Sequence, residues 1–274
     1  MARCVILLAD GLRPDAVTPS DTPSLHALSH DYTRVAHAVT VRPSTTIAAL
    51  GALATGVGPG THRLMEPGIG ALKRLAGLRP VARELVQRGL PTVVVAGHVP
   101  AIQVPTASAL AKFAGVRRFI AVRGAAPLIA ASALRRLRLT PDGLVFVYVN
   151  DCDRAGHAVG WMTPAYRNAV RQVDAAVALL RSAVVDSLLV VLADHGGGGV
   201  APTDHDAPHP VNDRIPLIIA GPRVRRRCTL QRPVSILDVP PTLLWWLGVN
   251  VPLEYEGRVL EEALAPSERE EAVA

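Results

Sequence analysis

Cysteine is scarce in this chain of 274 residues: Cys4, Cys152 and Cys228 are odd in number and widely spread. That excludes a disulfide framework, and no pair has the spacing of a zinc ribbon. Aromatic residues make up only 4% of the sequence. With so few rings among the basic residues there is no stacking platform for bases, and nucleic acid is disfavoured as a partner other than as a substrate. Long apolar runs are missing too. "SLLVVLA" and "TLLWWLG" fall well short of the roughly 18 residues of a membrane helix, so no membrane partner is expected. The N-terminal "CVILLA" is too short for a signal-peptide core and no small-residue cleavage site follows it, which makes a cytoplasmic address the expectation. No internal repeat and no low-complexity linker interrupts the chain.

What is present is a composition of 49% hydrophobic and 19% charged residues. A chain of this length and content can bury a full core, and a single domain over residues 1–274 with a frayed polar tail from about 266 is expected. The net charge of +6 favours anionic partners. Part of the excess is the knot "RVRRR" at 223–227, which reads as a solvated loop or edge strand. A basic nucleic-acid-binding protein is the non-enzymatic alternative. Near-continuous apolar runs at 3–9, 35–41, 91–97, 116–121, 143–150, 187–193 and 215–220 predict strands covered on both faces. Helical segments alternate with them at about 22–30, 46–55, 79–89, 125–138, 163–183 and 235–248. Such alternation predicts an open, mostly parallel α/β sheet.

Three of these strands end in acids. "VILLAD" ends at Asp10, "LVFVYVNDCD" reaches Asp151 and Asp153, and "LLVVLADHGGGG" ends in Asp194 and His195. Taken singly, each is turn chemistry. Ligands of open α/β sheets, however, sit outside the carboxyl ends of the strands, and several carboxylates on one rim repel one another unless cations lie between them. In "DCDRAGH" Asp153 and His157 stand four apart and could reach one ion from a loop or a single turn. Asp194 and His195 could share a second ion or split between two, and "TDHDAPHP" adds His205 or His209. Carboxylate with imidazole suits zinc, with manganese or iron as alternatives. In "VRPSTTIAALGALATG" a helix of small residues begins at Thr46 and ends at Gly56. Thr45 or Thr46 is a plain N-cap in one reading. In the other, the helix N-terminus welcomes an anion such as phosphate, and a metal-lowered pKa makes the Thr46 hydroxyl a nucleophile. Other residues have two readings as well: Asp151 orients His157 or closes a turn, and Arg13 reaches a phosphate or pairs with Asp15. Trp245 and Trp246 read as core and interface aromatics.

Taken in order, these segments resemble the alkaline phosphatase superfamily, most closely its type I phosphodiesterase and nucleotide pyrophosphatase branch. "DGLRPD" is similar to the first metal motif and "PSTTIAALGALATGVGPGTH" to the nucleophile segment. "DxxGH" at 153–157 and "DHG" at 194–196 are similar to the later metal motifs, and "SILDVPPTLLWWLGVNVPLEYEGRVL" to a packing segment. The resemblance implies a three-layer αβα fold and two divalent metal ions. Asp10, Thr46, Asp194 and His195 would hold one ion, and Asp153, His157 and a later histidine the other. His205 is preferred to His209, since the stretch to "IPLIIAGP" is similar in length when counted from His205. The implied substrate is a small anionic phosphoester, cleaved by a phosphodiesterase or nucleotide pyrophosphatase through Thr46. A phosphomonoesterase, phosphonate monoester hydrolase or phosphomutase using the same site is the alternative. The sequence also departs from the pattern. Ala49 stands where the branch usually carries an asparagine that contacts a phosphoryl oxygen. Thr46 and Leu50 stand where sulfatases carry a modifiable residue and an arginine, which disfavours sulfatase chemistry. The segment from His62 to Asp142 is short, so any cap is minimal.

Overall fold

Runs of valine, leucine and isoleucine with little polar alternation become the strands of one nine-stranded sheet. The computed structural model describes residues 3–65 and 69–265; the polar tail expected from about 266 lies outside them. The strands are β1 (Arg3–Ala9), β2 (Thr33–Val39), β3 (Thr92–Gly97), β4 (Arg118–Val122), β5 (Gly143–Val149), β6 (Leu188–Leu192), β7 (Arg214–Ile215), β8 (Leu217–Ala220) and β9 (Cys228–Ser235). The helices are α1 (Pro23–Asp31), α2 (Thr46–Thr55), α3 (Pro59–His62), α4 (Ile69–Ala76), α5 (Val81–Gln87), α6 (Val104–Phe113), α7 (Ala126–Leu137), α8 (Asp151–Val159), α9 (Pro164–Leu180), α10 (Pro210–Asp213) and α11 (Val239–Trp246).

The sheet order is β4-β3-β5-β1-β6-β8-β2-β7, with β9 paired to β2. From β4 to β6 every pairing is parallel. β8 opposes β6, β2 opposes β7 and β8, and β9 runs parallel to β2. The sheet is therefore mostly parallel, as the alternation of strands and helices predicts. Every residue of β6 is buried, as are Val5, Leu7, Val145 and Val147, which is why these strands carry no polar face. On one face α7 packs against β3, β5 and α9. On the other, α6 packs on β4, and α2 packs against α5 and α11. No helix among the described residues is long and apolar enough to cross a membrane.

The elements depart from the sequence reading where the local signal is weak. The "DCDRAGH" stretch, expected as a loop or single turn, is the nine-residue helix α8; its glycine and paired acids lower helix propensity, and packing against α9 overrides that. β9 was hidden by Arg232 and Pro233. Proline is tolerated there because β9 pairs with β2 at the end of the sheet. The arginine knot at 223–227 is the stretch of chain entering this strand, where Arg223 lies over the ring of Trp246 and Arg226 over that of Tyr32.

Candidate active site

β1 lies between β5 and β6, so the three acid-ended strands are neighbours and deliver their carboxylates to one rim. The Asp10 N–H donates to the Val149 carbonyl at 2.8 Å, and the Asp153 N–H to the Asp10 carbonyl at 3.0 Å. Between them the chain turns at Gly11, with φ of +71°, where a Cβ would stand 2.8 Å from the Asp153 Cα. Only glycine accepts both the backbone conformation and the close approach. α8 then carries Asp153 and His157 one turn apart on one face, 3.3 Å between oxygen and Nε2. Asp194 and His195 follow β6 directly, and Thr46 opens α2. Its hydroxyl lies 3.5 Å from Asp10 Oδ1 and 3.2 Å from His195 Nε2.

The ligand atoms form two overlapping groups. Those of Asp10, Asp194 and His195 all lie within 4.8 Å of one another, as do those of Asp153, His195 and His205. His157 joins the second group, its Nε2 standing 3.2 Å from that of His205. His195 stacks on His205 with centroids 3.8 Å apart, so His195 faces both groups and not only the first. The structure thus brings together Asp10, Thr46, Asp153, His157, Asp194, His195 and His205. His209 points elsewhere: it caps α10, its Nδ1 accepting from the Val211 N–H.

Each of the three histidines has its outer nitrogen tied to a backbone carbonyl. The Nδ1 of His195 meets Gly196 O at 2.8 Å, that of His205 meets Ser44 O at 2.9 Å, and that of His157 meets Thr203 O at 2.9 Å. A nitrogen facing a carbonyl must carry the proton, so in the neutral ring Nε2 is a bare acceptor turned into the site. Two such acceptors, His157 and His205, face each other, and buried Asp153 Oδ1 and Asp194 Oδ2 have no hydrogen-bond donor. Acceptors gathered without donors fit divalent cations, and a mixed imidazole and carboxylate set suits zinc.

The electrostatics agree. Burial, reinforced by the charge of Asp10, raises Asp194 to about 8 and Asp153 to about 6. Burial opposes a charge on His195, yet Asp194 and Asp10 lift it to about 10. The shift reports the pull of the two carboxylates on positive charge at this position. His205 is pushed down by burial and by the charge of His195.

Several supporting residues escaped the sequence reading. Tyr148, on β5, donates its hydroxyl to Asp10 Oδ2. Trp161 donates to the Gly11 carbonyl at 2.9 Å and sets its ring against His157 and His205. Tyr166 donates to the same carbonyl. The signal for Tyr148 was its parity: Leu144, Phe146 and Tyr148 share one face of β5, and Tyr148 is the one nearest the rim. Asp151 does not orient His157; it accepts from the Ala126 N–H at the start of α7. Arg13 pairs with Asp15 at 2.8 Å and donates to the Gly197 carbonyl at 3.1 Å.

A parallel sheet whose central strands deliver acids and histidines around a threonine at a helix start has the architecture of the alkaline phosphatase superfamily. Within it, residues 4–67 and 104–228 match the type I phosphodiesterase / nucleotide pyrophosphatase family. The match takes in well over half of the chain, and the protein belongs to that family. It is similar to the phosphonate monoester hydrolase of Silicibacter pomeroyi, with 16% identity, a TM-score of 0.70 and coverage of 98% of this chain and 78% of the other. It is similar also to murine ectonucleotide pyrophosphatase / phosphodiesterase 5, solved as an inactive threonine-to-alanine variant with AMP, with 14% identity, a TM-score of 0.73 and coverage of 97% and 100%. In sequence it is 30% identical over 122 residues to the 2,3-bisphosphoglycerate-independent phosphoglycerate mutase of Antithamnion sp., covering 43% of this chain. The match spans about a quarter of that relative's length, 23%.

Proposed function

We propose that this protein is a two-metal phosphoester hydrolase, first of all a phosphodiesterase or nucleotide pyrophosphatase, with Thr46 as nucleophile. The observation that carries this reading is the Thr46 hydroxyl, set at the start of α2 beside His195 and Asp10 and against both groups of ligand atoms. Asp10, Thr46, Asp194 and His195 would hold one divalent ion, and Asp153, His157 and His205 the other. Zinc fits this donor set, with manganese or iron as alternatives. When bound, the ions supply a lowered pKa for the Thr46 hydroxyl and neutralise the phosphoryl charge.

The chain itself does the positioning. Asp10 Oδ1 accepts from the Thr46 hydroxyl and fixes the direction in which Oγ1 faces. The first N–H groups of α2 have no carbonyl partner within the helix, so they are free to donate to phosphoryl oxygens. Ala49 is fully buried and apolar, so these N–H groups take the part that an asparagine side chain plays in the branch. Thr46 Oγ1 forms a bond to phosphorus as the ester oxygen leaves, and water then cleaves the phosphothreonine.

The test is a panel of bis-p-nitrophenyl phosphate, p-nitrophenyl phosphate and a phenylphosphonate ester, run on the metal-loaded protein. The diester should turn over fastest, and a monoester or phosphonate preference would favour the alternative. Thr46→Ala should lose at least a thousandfold in kcat while keeping its metal. Undiminished turnover by Thr46→Ala contradicts the nucleophile assignment.

A further inference from the structure

Beside the acid-lined rim lies a cavity of about 420 Å³ whose walls are almost entirely apolar. Its floor is one face of the sheet. Ile6, Val94, Phe146 and Phe119 form a row there through their register, and Tyr148 and Ala96 form the next row toward the rim. Its roof is α2, α4, α5 and α6. Parallel strands are ordinarily sealed on both faces, yet Val94, Phe119, Phe146 and Tyr148 keep partial exposure, and α6 has no buried residue. α6 therefore roofs the space instead of packing down into it.

Two walls are shared with the site. Ile47 follows Thr46 directly and Leu50 stands one helical turn further on the same side of α2; both line the cavity. Tyr148 lines it with its ring while its hydroxyl holds Asp10. Cavity and site thus adjoin along α2 and Tyr148. The volume is roughly three times the about 150 Å³ cavity that takes up benzene, enough for fused rings or a chain of about ten carbons.

Resting on the function proposed above, we infer that the phosphoryl group of the substrate carries an apolar substituent, alkyl or aryl, and that this substituent occupies the cavity between α2, α6 and the sheet. Of the two readings proposed above this favours the phosphodiesterase, since the sugar of a nucleotide would find no hydrogen-bond partners on these walls.

The experiment is calorimetric binding of methyl-, butyl- and octylphosphonate to the metal-loaded protein, alongside hydrolysis of bis-p-nitrophenyl phosphate. Full burial is worth roughly fourfold in affinity per methylene, so even at about half that free energy the seven additional methylenes should make octylphosphonate bind roughly a hundredfold tighter than methylphosphonate. Ala111→Trp, which fills the cavity from α6, should flatten the series; Ala107→Phe does so by a smaller intrusion if the tryptophan variant fails to fold. A flat series in the unmodified protein, or one whose slope survives both substitutions, overturns the inference. A steep series that either substitution flattens, in a protein that leaves the diester intact, keeps the cavity assignment and removes the hydrolase reading.

Discussion

At the scale of single residues, the site depends on how its ligands are held from behind. Tyr148 donates to the Asp10 oxygen that does not face Thr46. Removing that hydrogen bond leaves Asp10 held only through Oδ1, by His195 and Thr46, and groups of this kind typically affect metal affinity roughly 10–100-fold. Tyr148→Phe should therefore weaken zinc binding by roughly that factor in a competition with a chelator, with the fold unchanged by circular dichroism; unaltered affinity would contradict it. The two late histidines give a sharper contrast. His205 faces Asp153 and His157, whereas His209 accepts a backbone N–H at the start of α10. His205→Ala should lose one metal equivalent and His209→Ala none, and the reverse result would reassign the ligand. Local pattern in "TDHDAPHP" leaves both open, the family resemblance prefers His205, and the fold turns that ring inward. Asp10, Asp153 and Asp194 were legible because each follows an apolar run. Trp161 was not, because an aromatic after a helix is ordinary core material by its sequence context, and Tyr148 is marked only by its parity and its place near the rim end of β5.

At the scale of elements, one buried carboxylate joins two helices. Asp174, on α9, accepts from the N–H groups of Leu25 at 2.8 Å and Ser24 at 3.3 Å. It thereby serves the first turn of α1, whose own N-cap, Thr22, makes no such bond. A carboxylate there satisfies orphan donors and complements the helix dipole. Asp174→Ala should cost about 1–2 kcal/mol by denaturant unfolding, with kcat untouched. A loss of activity without a loss of stability would place Asp174 in a different role. The helices and strands that form the frame could be read from the sequence, because their apolar runs are long enough to fix their type. α2 was expected over 46–55 and is found at Thr46–Thr55, bounded by Thr45 and the left-handed Gly56. α3, α4, α6 and β9 escaped for the opposite reason. They are short, or rich in small residues, or carry proline, and tertiary contacts decide them. β1 and β6 are adjacent although 178 residues lie between Ala9 and Leu188, a pairing that no local pattern announces.

At the scale of the whole molecule, the site costs stability whenever it lacks its cations. A carboxyl in the unfolded chain ionises near 3.8, whereas Asp153 is raised to about 6 and Asp194 to about 8, chiefly by burial. Across that interval the folded state binds more protons than the unfolded state, so stability falls as pH rises. His195, lifted from 6.5 to about 10 by Asp194 and Asp10 against the effect of burial, acts in the same direction. Its contribution is full below 6.5 and is lost as pH climbs through about 10. Metal binding requires deprotonated ligands and strengthens with pH. The Tm of the metal-stripped protein should therefore drop between about pH 5 and 8, while the rise in Tm on adding zinc widens over the same range. Parallel curves with and without zinc would contradict this linkage. The most direct measurement, however, is elemental analysis of the purified protein after zinc loading and desalting. Two equivalents of metal per chain are expected, falling to about one in His205→Ala. A chain that retains no metal, while its circular dichroism and Tm report an intact fold, would contradict the account.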